Sequence, residues 1–330
     1  MSARKASGAI ITQDLAVGYV RGALRHELFR QLDIELLPGK LTCFMGPNGI
    51  GKSTLIRTLS GLQNPMSGEI MYAGSRKGER VDLPRHLAVV LTDRISATNM
   101  TAFEVVAVGR YPYLTWNVRL SANDQQMIDD TLTEFHIDHL KNKKIHELSD
   151  GQLQMVMIAR AVIQDTPSIL LDEPTAHLDL NNRLEIMNLL RKLAHQANKA
   201  ILVSTHELDL ALQTADIIWL AGHDKKIISG IPEDLVLNGA FDSIFQFKGF
   251  DLKTGKVEHV PHRGICVHLS GSGHEYLWTK NALERNGFIT GADEVANYNV
   301  SVSQESGQLV WTINDKTSFT SLEELINFFA

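Results

Sequence analysis

The stretch "GPNGIGKST" at residues 46–54 has the spacing G-x-x-x-x-G-K-[ST], which suits a loop that grips phosphates. Gly46, Gly49 and Gly51, with Pro47 and Asn48 among them, let successive backbone N–H groups turn toward an anion with no Cβ in the way. A helix opening near Gly51 aims its positive end at the same point. In such a loop Lys52 reaches the β- and γ-phosphates of a nucleoside triphosphate, and Ser53, followed by Thr54, ligates Mg2+. "ILLDEP" supplies the other half of the chemistry. Asp172, at the end of a buried apolar run, can hold Mg2+ through water. Glu173 then stands beside the γ-phosphate and orients or deprotonates an attacking water. His206 follows "ILVST" and is either a structural hydrogen-bonding group or a contact to the γ-phosphate and Glu173. Asp179, in "AHLD" just past the carboxylates, falls in a loop between sites and can also N-cap the helix that follows.

One further stretch, "LSDGQ", combines a capping pattern with polar groups. Ser149 is a helix N-cap, Gln152 is the residue that reaches back to it, and "LQMVMIARAVI" is the helix they open. Asp150 then lies in the first turn, where the helix dipole favours a carboxylate by roughly 0.3–1 kcal/mol.

These side chains need a sheet to bring them together. "LTCFM", "LAVVLTD", "SILLDEP" and "KAILVSTH" are apolar runs of the kind buried in a parallel sheet. Ahead of them "AIITQDLAVGYV" and "LFRQLDIELLPGK" are strand-like, and "IIWLAGHDKKIISG" predicts a hairpin turning at residues 222–225. Thr101 with Glu104, and Ser121 with Asp124, form capping boxes before helical runs, and residues 183–196 predict an amphipathic helix. The alternation predicts an α/β fold with a mainly parallel sheet, an antiparallel β edge and a helical subdomain over about 95–165.

Composition narrows the class. At 330 residues, 44% hydrophobic and 21% charged, the chain fits an ordinary soluble globular protein with one large domain and a smaller one. A formal charge of -6 gives no sign of a nucleic-acid-binding surface. Cys43 and Cys266 are too far apart in sequence for a disulfide framework or a metal spacing, and a reducing cytosol fits that usage. No run approaches the roughly eighteen apolar residues of a membrane span, and the N-terminus lacks the apolar stretch of a signal peptide. Any membrane contact is expected to come through a partner.

With the phosphate loop, "LSDGQ", "ILLDEP", "AHLD" and "STH" in this order, the chain resembles the ATP-binding-cassette ATPases over roughly residues 9–250. The resemblance implies a P-loop NTPase cassette that works as a head-to-tail dimer. Each ATP is then clasped between the phosphate loop of one copy and the "LSDGQ" segment of the other. On that model Ser149 and Gly151, in the segment closed by Gln152, contact the γ-phosphate of the opposite copy's ATP, and Tyr19 stacks on adenine. The family usually ends the strand seen here as "VVLTD" with a Gln that ligates Mg2+. Asp93 holds that place, and its carboxylate is expected to keep the metal contact. Asp150 stands where the family has Gly, and the retained Ser149 and Gly151 imply a working variant.

"VGRYPY", "RLSANDQQMIDDTL" and "GIPEDLVLNGAFDSIF" are similar to segments of the iron-siderophore, haem and cobalamin uptake cassettes. The implied function is the ATP-hydrolysing subunit of an importer for such a chelate. Its implied partners are a second cassette, membrane permease subunits and, indirectly, a substrate-binding protein, with no nucleic acid. That places it in the cytoplasm, peripheral on the inner face of the cell membrane. The alternatives are the ATPase of another transporter, for a different nutrient or for export, and a soluble nucleotide-switch regulator.

Residues from about 257 onward lie outside the resemblance. A boundary near Val257 separates a cassette of residues 1–256 from a small α/β extension of residues 257–330, with strand, turn, helix, hairpin and closing helix. "GSGHEY" lacks the last glycine of a dinucleotide loop, because Tyr276 stands there. His259, His262, His268 and His274 fit no compact metal spacing and are expected to be structural.

Overall fold

The computed structural model describes residues 8–21, 24–73, 75, 81–92, 99–114, 119–176, 178–247, 250–252, 255–257, 259–290, 296–305 and 308–329. The chain divides into two compact units, residues 1–246 and 247–330.

The strands of the first unit are β1 (Ile10–Arg21), β2 (Leu24–Leu32), β3 (Glu35–Leu36), β4 (Lys40–Met45), β5 (Ser67–Tyr72), β6 (Leu87–Val90), β7 (Ser168–Asp172), β8 (Ala200–Ser204), β9 (Ile217–Ala221) and β10 (Ile227–Gly230). Six of them form one sheet in the order β10-β9-β4-β8-β7-β6. All neighbours in it are parallel except the β9–β10 hairpin. Every residue of β7 and β8 is buried, which is why "SILLD" and "AILVS" carry no polar alternation. The N-terminal strands make a separate antiparallel sheet, β2-β1-β3 with β5 also on β1. The antiparallel character expected at the start of the fold is thus a second sheet, and β10 alone is antiparallel on the main one. The two sheets share a core, in which Leu15, Val17 and Phe29 pack with Phe44, Leu170 and Trp219.

Between β6 and β7 the helices Ala102–Val108, Ala122–Glu134 and Asp150–Ile163 pack on one another. Each opens on a formed capping box, Thr101 with Glu104, Ser121 with Asp124 and Ser149 with Gln152. Arg110 joins the three. Its Nε donates to Asp124 Oδ1 at 2.9 Å and its Nη1 to the Ile163 carbonyl at 3.2 Å. The Ser121 hydroxyl, then its backbone N–H and Arg110, hold the Asp124 carboxyl below the usual range against the opposing effect of burial.

The second unit holds a two-stranded ladder, β11 (Phe250–Asp251) with β12 (Lys256–Val257), and a five-stranded sheet. That sheet contains β13 (Cys266–Ser270), β14 (Ile289–Thr290), β15 (Tyr298–Glu305), β16 (Gln308–Ile313) and β17 (Thr317–Phe319), in the order β14-β13-β15-β16-β17. β13 runs parallel to β14 and β15, and the other pairs are antiparallel. Helices Gly273–Arg285 and Leu322–Phe328 contribute Leu283 and Leu325 to a core with Val267, Val300 and Trp311. The buried Trp311 indole N–H donates to Thr279 Oγ1 at 2.8 Å, so its polar atom is satisfied. Among the described residues no three His, Cys, Asp or Glu gather as a metal site. Among the same residues no helix is long and apolar enough to cross a membrane.

Candidate active site

β4, β8 and β7 are adjacent and parallel, so the loops that follow them open at one edge of the sheet. In open α/β sheets that edge is where ligands bind. The loop after β4 is the glycine-rich one. Gly51 is the N-cap of helix Lys52–Leu59 at φ +113, left-handed, and a Cβ there would lie 2.9 Å from Leu28 Cδ1. Gly49, at φ +78, differs, because a Cβ there would meet nothing within 4 Å. The left-handed backbone favours glycine at position 51, and Gly49 leaves one side of the loop open to a ligand.

Lys52 is only 7% exposed. Its Nζ donates to the Gly46 carbonyl at 2.9 Å and to the Pro47 carbonyl at 3.4 Å. Burial pushes its pKa below the usual lysine range, while the charges of Glu173 and Asp172 act in the opposite direction. A buried ammonium held on neutral carbonyls keeps its charge available to an incoming anion. Asn48 and Ser53 are exposed beside it, and Pro47 and Thr54 are half-buried.

The acids sit at the end of β7. Asp172 is 1% exposed and its Oδ1 accepts from Ser204 Oγ at 2.5 Å. Glu173 adopts φ +49, an unusual conformation for a residue with a side chain. Its N–H donates to both the Ser204 hydroxyl, at 3.0 Å, and the Ser204 carbonyl, at 3.1 Å. Its Oε1 lies 3.6 Å from His206 Nδ1, ion-pair distance for a protonated imidazole and longer than a good hydrogen bond. The parallel register therefore gathers Lys52, Asp172, Glu173 and His206 at one sheet edge.

Sequence spacing did not disclose the groups behind them. Glu207 accepts from Thr175 Oγ1 at 3.2 Å and pairs with Arg183 Nη1 at 3.3 Å, joining the loops after β7 and β8. Arg183 Nε also donates to the Leu178 carbonyl at 2.6 Å. Next to Leu178, Asp179 N-caps helix Leu180–Ala197 by accepting from the Asn182 N–H at 2.9 Å.

Ser149, Asp150, Gly151 and Gln152 belong to a second location, the start of helix Asp150–Ile163. Ser149 Oγ accepts from the Gln152 N–H at 3.2 Å, and Gln152 Oε1 accepts from the Ser149 N–H at 3.1 Å. Ser149 and Asp150 are exposed there. Tyr19 lies on β1, 41% exposed, with its ring centroid 5.1 Å from that of His26. Asp93 falls outside the described residues.

The donor set fits a nucleoside triphosphate with a divalent cation. One side of the loop is open at Gly49, a buried lysine held on backbone carbonyls stands beside it, and a buried carboxylate adjoins them. The chain belongs to the ABC transporter family, as an ATP-binding subunit with ATPase activity. Residues 29–176 match the ABC transporter family model, and residues 263–330 match the Iron ABC transporter C-terminal domain. It is 35% identical to an uncharacterized ABC transporter ATP-binding protein of Methanocaldococcus jannaschii, over 83% of this chain and 97% of that one. It is 34% identical to a petrobactin import ATP-binding protein of Bacillus anthracis, over 66% of this chain and 81% of that one. Among solved structures, one described as a metal-chelate type ABC transporter in an inward-facing conformation superimposes with a TM-score of 0.62 at 26% identity, covering 73% of this chain and 89% of that chain.

Proposed function

We propose that this chain is the ATP-hydrolysing subunit of an importer for an iron-siderophore, haem or cobalamin-type chelate, acting through a membrane permease. The observation that carries this reading is the second unit, which has its own core and matches the Iron ABC transporter C-terminal domain over residues 263–330. The petrobactin-import relative and the metal-chelate transporter structure support it.

In the cycle, the backbone of Gly46, Pro47, Asn48, Gly49 and Gly51 cradles the phosphates, with Thr54 beside them. Lys52 offsets charge on the β- and γ-phosphates. Ser53, Asp172 and Asp93 are the residues that would hold Mg2+, which when bound neutralises phosphate oxygens. Glu173 accepts a proton from water as the water oxygen attacks the γ-phosphorus in line and the bond to the β–γ bridging oxygen breaks, giving ADP and phosphate. His206 orients Glu173 and contacts the γ-phosphate, Tyr19 stacks on adenine, and Asp179 lies between sites.

The chain carries one phosphate loop and one "LSDGQ" segment, and in the second Ser149 and Asp150 are exposed while Gly151 is half-buried. A second copy completes each site by presenting Ser149 and Gly151. Asp150 is exposed in the first helical turn, between Ser149 and Gly151, the two residues that would meet the partner's phosphates. A unit charge at about 4 Å in water costs about 1 kcal/mol, so Asp150→Gly is expected to tighten half-saturation by ATP about fivefold. Half-saturation equal to the parent's would show the carboxylate turned away from nucleotide.

The import reading is tested by co-expression with permease subunits of the metal-chelate type. The chain should co-purify with the permease from detergent extracts, and vesicles should take up a radiolabelled ferric siderophore only with ATP inside. A chain that hydrolyses ATP and never associates with membranes would instead be a soluble nucleotide switch. Outward movement of cargo would make it an exporter subunit.

A further inference from the structure

We propose that Ser204 is the positioning residue for both acids of the site: one buried hydroxyl orients the Asp172 carboxylate and holds the backbone turn that presents Glu173. The proposal rests on the roles just given to Asp172 and Glu173. Ser204 ends β8 directly opposite Asp172, the last residue of β7, and it is wholly buried. A serine hydroxyl has one proton, and an ionised carboxylate can only accept, so the 2.5 Å contact runs from Ser204 Oγ to Asp172 Oδ1. A backbone N–H can only donate, so the 3.0 Å contact runs from Glu173 N to Ser204 Oγ. Together they leave the hydroxyl one fixed orientation.

Two consequences follow for the chemistry. Asp172 Oδ1 accepts a hydrogen bond from inside the protein, which restrains the carboxylate that would hold Mg2+. Glu173 is held at φ +49 by two acceptors from the same residue, the hydroxyl and the carbonyl. Such a conformation persists only where its surroundings over-determine it. Alanine at position 204 would keep the carbonyl and remove the hydroxyl, leaving a buried carboxylate oxygen without its donor. Threonine would keep the hydroxyl.

The test compares the full chain with its Ser204→Ala and Ser204→Thr variants. The readouts are Mn2+ binding in the presence of ADP by electron paramagnetic resonance, metal-free nucleotide binding, and kcat as a function of Mg2+. Ser204→Ala is expected to weaken Mn2+ binding and lower kcat by about tenfold each, the weight of one hydrogen bond to a charged group. Metal-free nucleotide binding should be unchanged, and Ser204→Thr should restore both losses. Wild-type Mn2+ binding and kcat in Ser204→Ala would overturn the proposal, as would equal losses in the alanine and threonine variants. If Ser204→Ala does not fold, Ser204→Cys, a weaker donor of similar shape, takes its place under the same criteria. Asp172→Asn is measured alongside. Full hydrolysis in Asp172→Asn would overturn the site reading itself, whereas an inactive Asp172→Asn beside a wild-type-like Ser204→Ala overturns the role of Ser204 alone.

Discussion

Glu173→Gln is expected to lower ATP hydrolysis by about a hundredfold or more, the usual weight of a positioned general base, while ATP still binds. The amide matches the carboxylate in shape and cannot take up the proton of the attacking water. The turn that presents residue 173 survives, because both bonds from Ser204 go to the backbone N–H and not to the side chain. The nearby imidazole at 3.6 Å keeps a polar neighbour. Steady-state phosphate release, with nucleotide binding measured in parallel, checks the prediction. Hydrolysis within a few-fold of the parent would remove Glu173 from the chemistry.

Lys52→Ala is expected to lower kcat/KM for ATP by about a hundredfold or more, comparable to losing a preorganised donor at developing charge. Alanine is the best helix former, so the helix from residue 52 should still start at the same place. What disappears is the ammonium and its ties to the Gly46 and Pro47 carbonyls. Loss of nucleotide binding should accompany loss of turnover, which separates this variant from Glu173→Gln. Circular dichroism guards against misfolding, and a folded Lys52→Ala protein with parental kcat/KM would contradict the role given to the loop.

Much of this site was legible because its signals are local. A phosphate loop is defined by glycines at fixed spacing, and Ser149–Gln152 is defined by a capping box within one turn. The buried runs at β7 and β8 could be recognised because strands covered on both faces lose their polar alternation. The rest depends on pairing across the chain. β1 and β2 are neighbours in sequence, but β5 joins them from a distance, pairing Ile10 with Tyr72, and β5 (SGEIMY) has too little buried surface to stand out. Parallel pairing of β13 with β14 and β15 in the second unit is equally nonlocal. Ser204 passed as one more residue of an apolar strand. Its importance comes from lying opposite Asp172, a register that no local pattern encodes.

The most direct test of the central claim, that two copies of this chain clasp ATP between the phosphate loop of one and the "LSDGQ" segment of the other, is a solution mass. Glu173→Gln protein with ATP and Mg2+ is measured by light scattering after size exclusion. The account predicts an ATP-dependent dimer at twice the 36.7 kDa chain mass, reverting to monomer without nucleotide and blocked by Ser149→Arg in the same background. A protein that binds ATP and stays at 36.7 kDa throughout would contradict it.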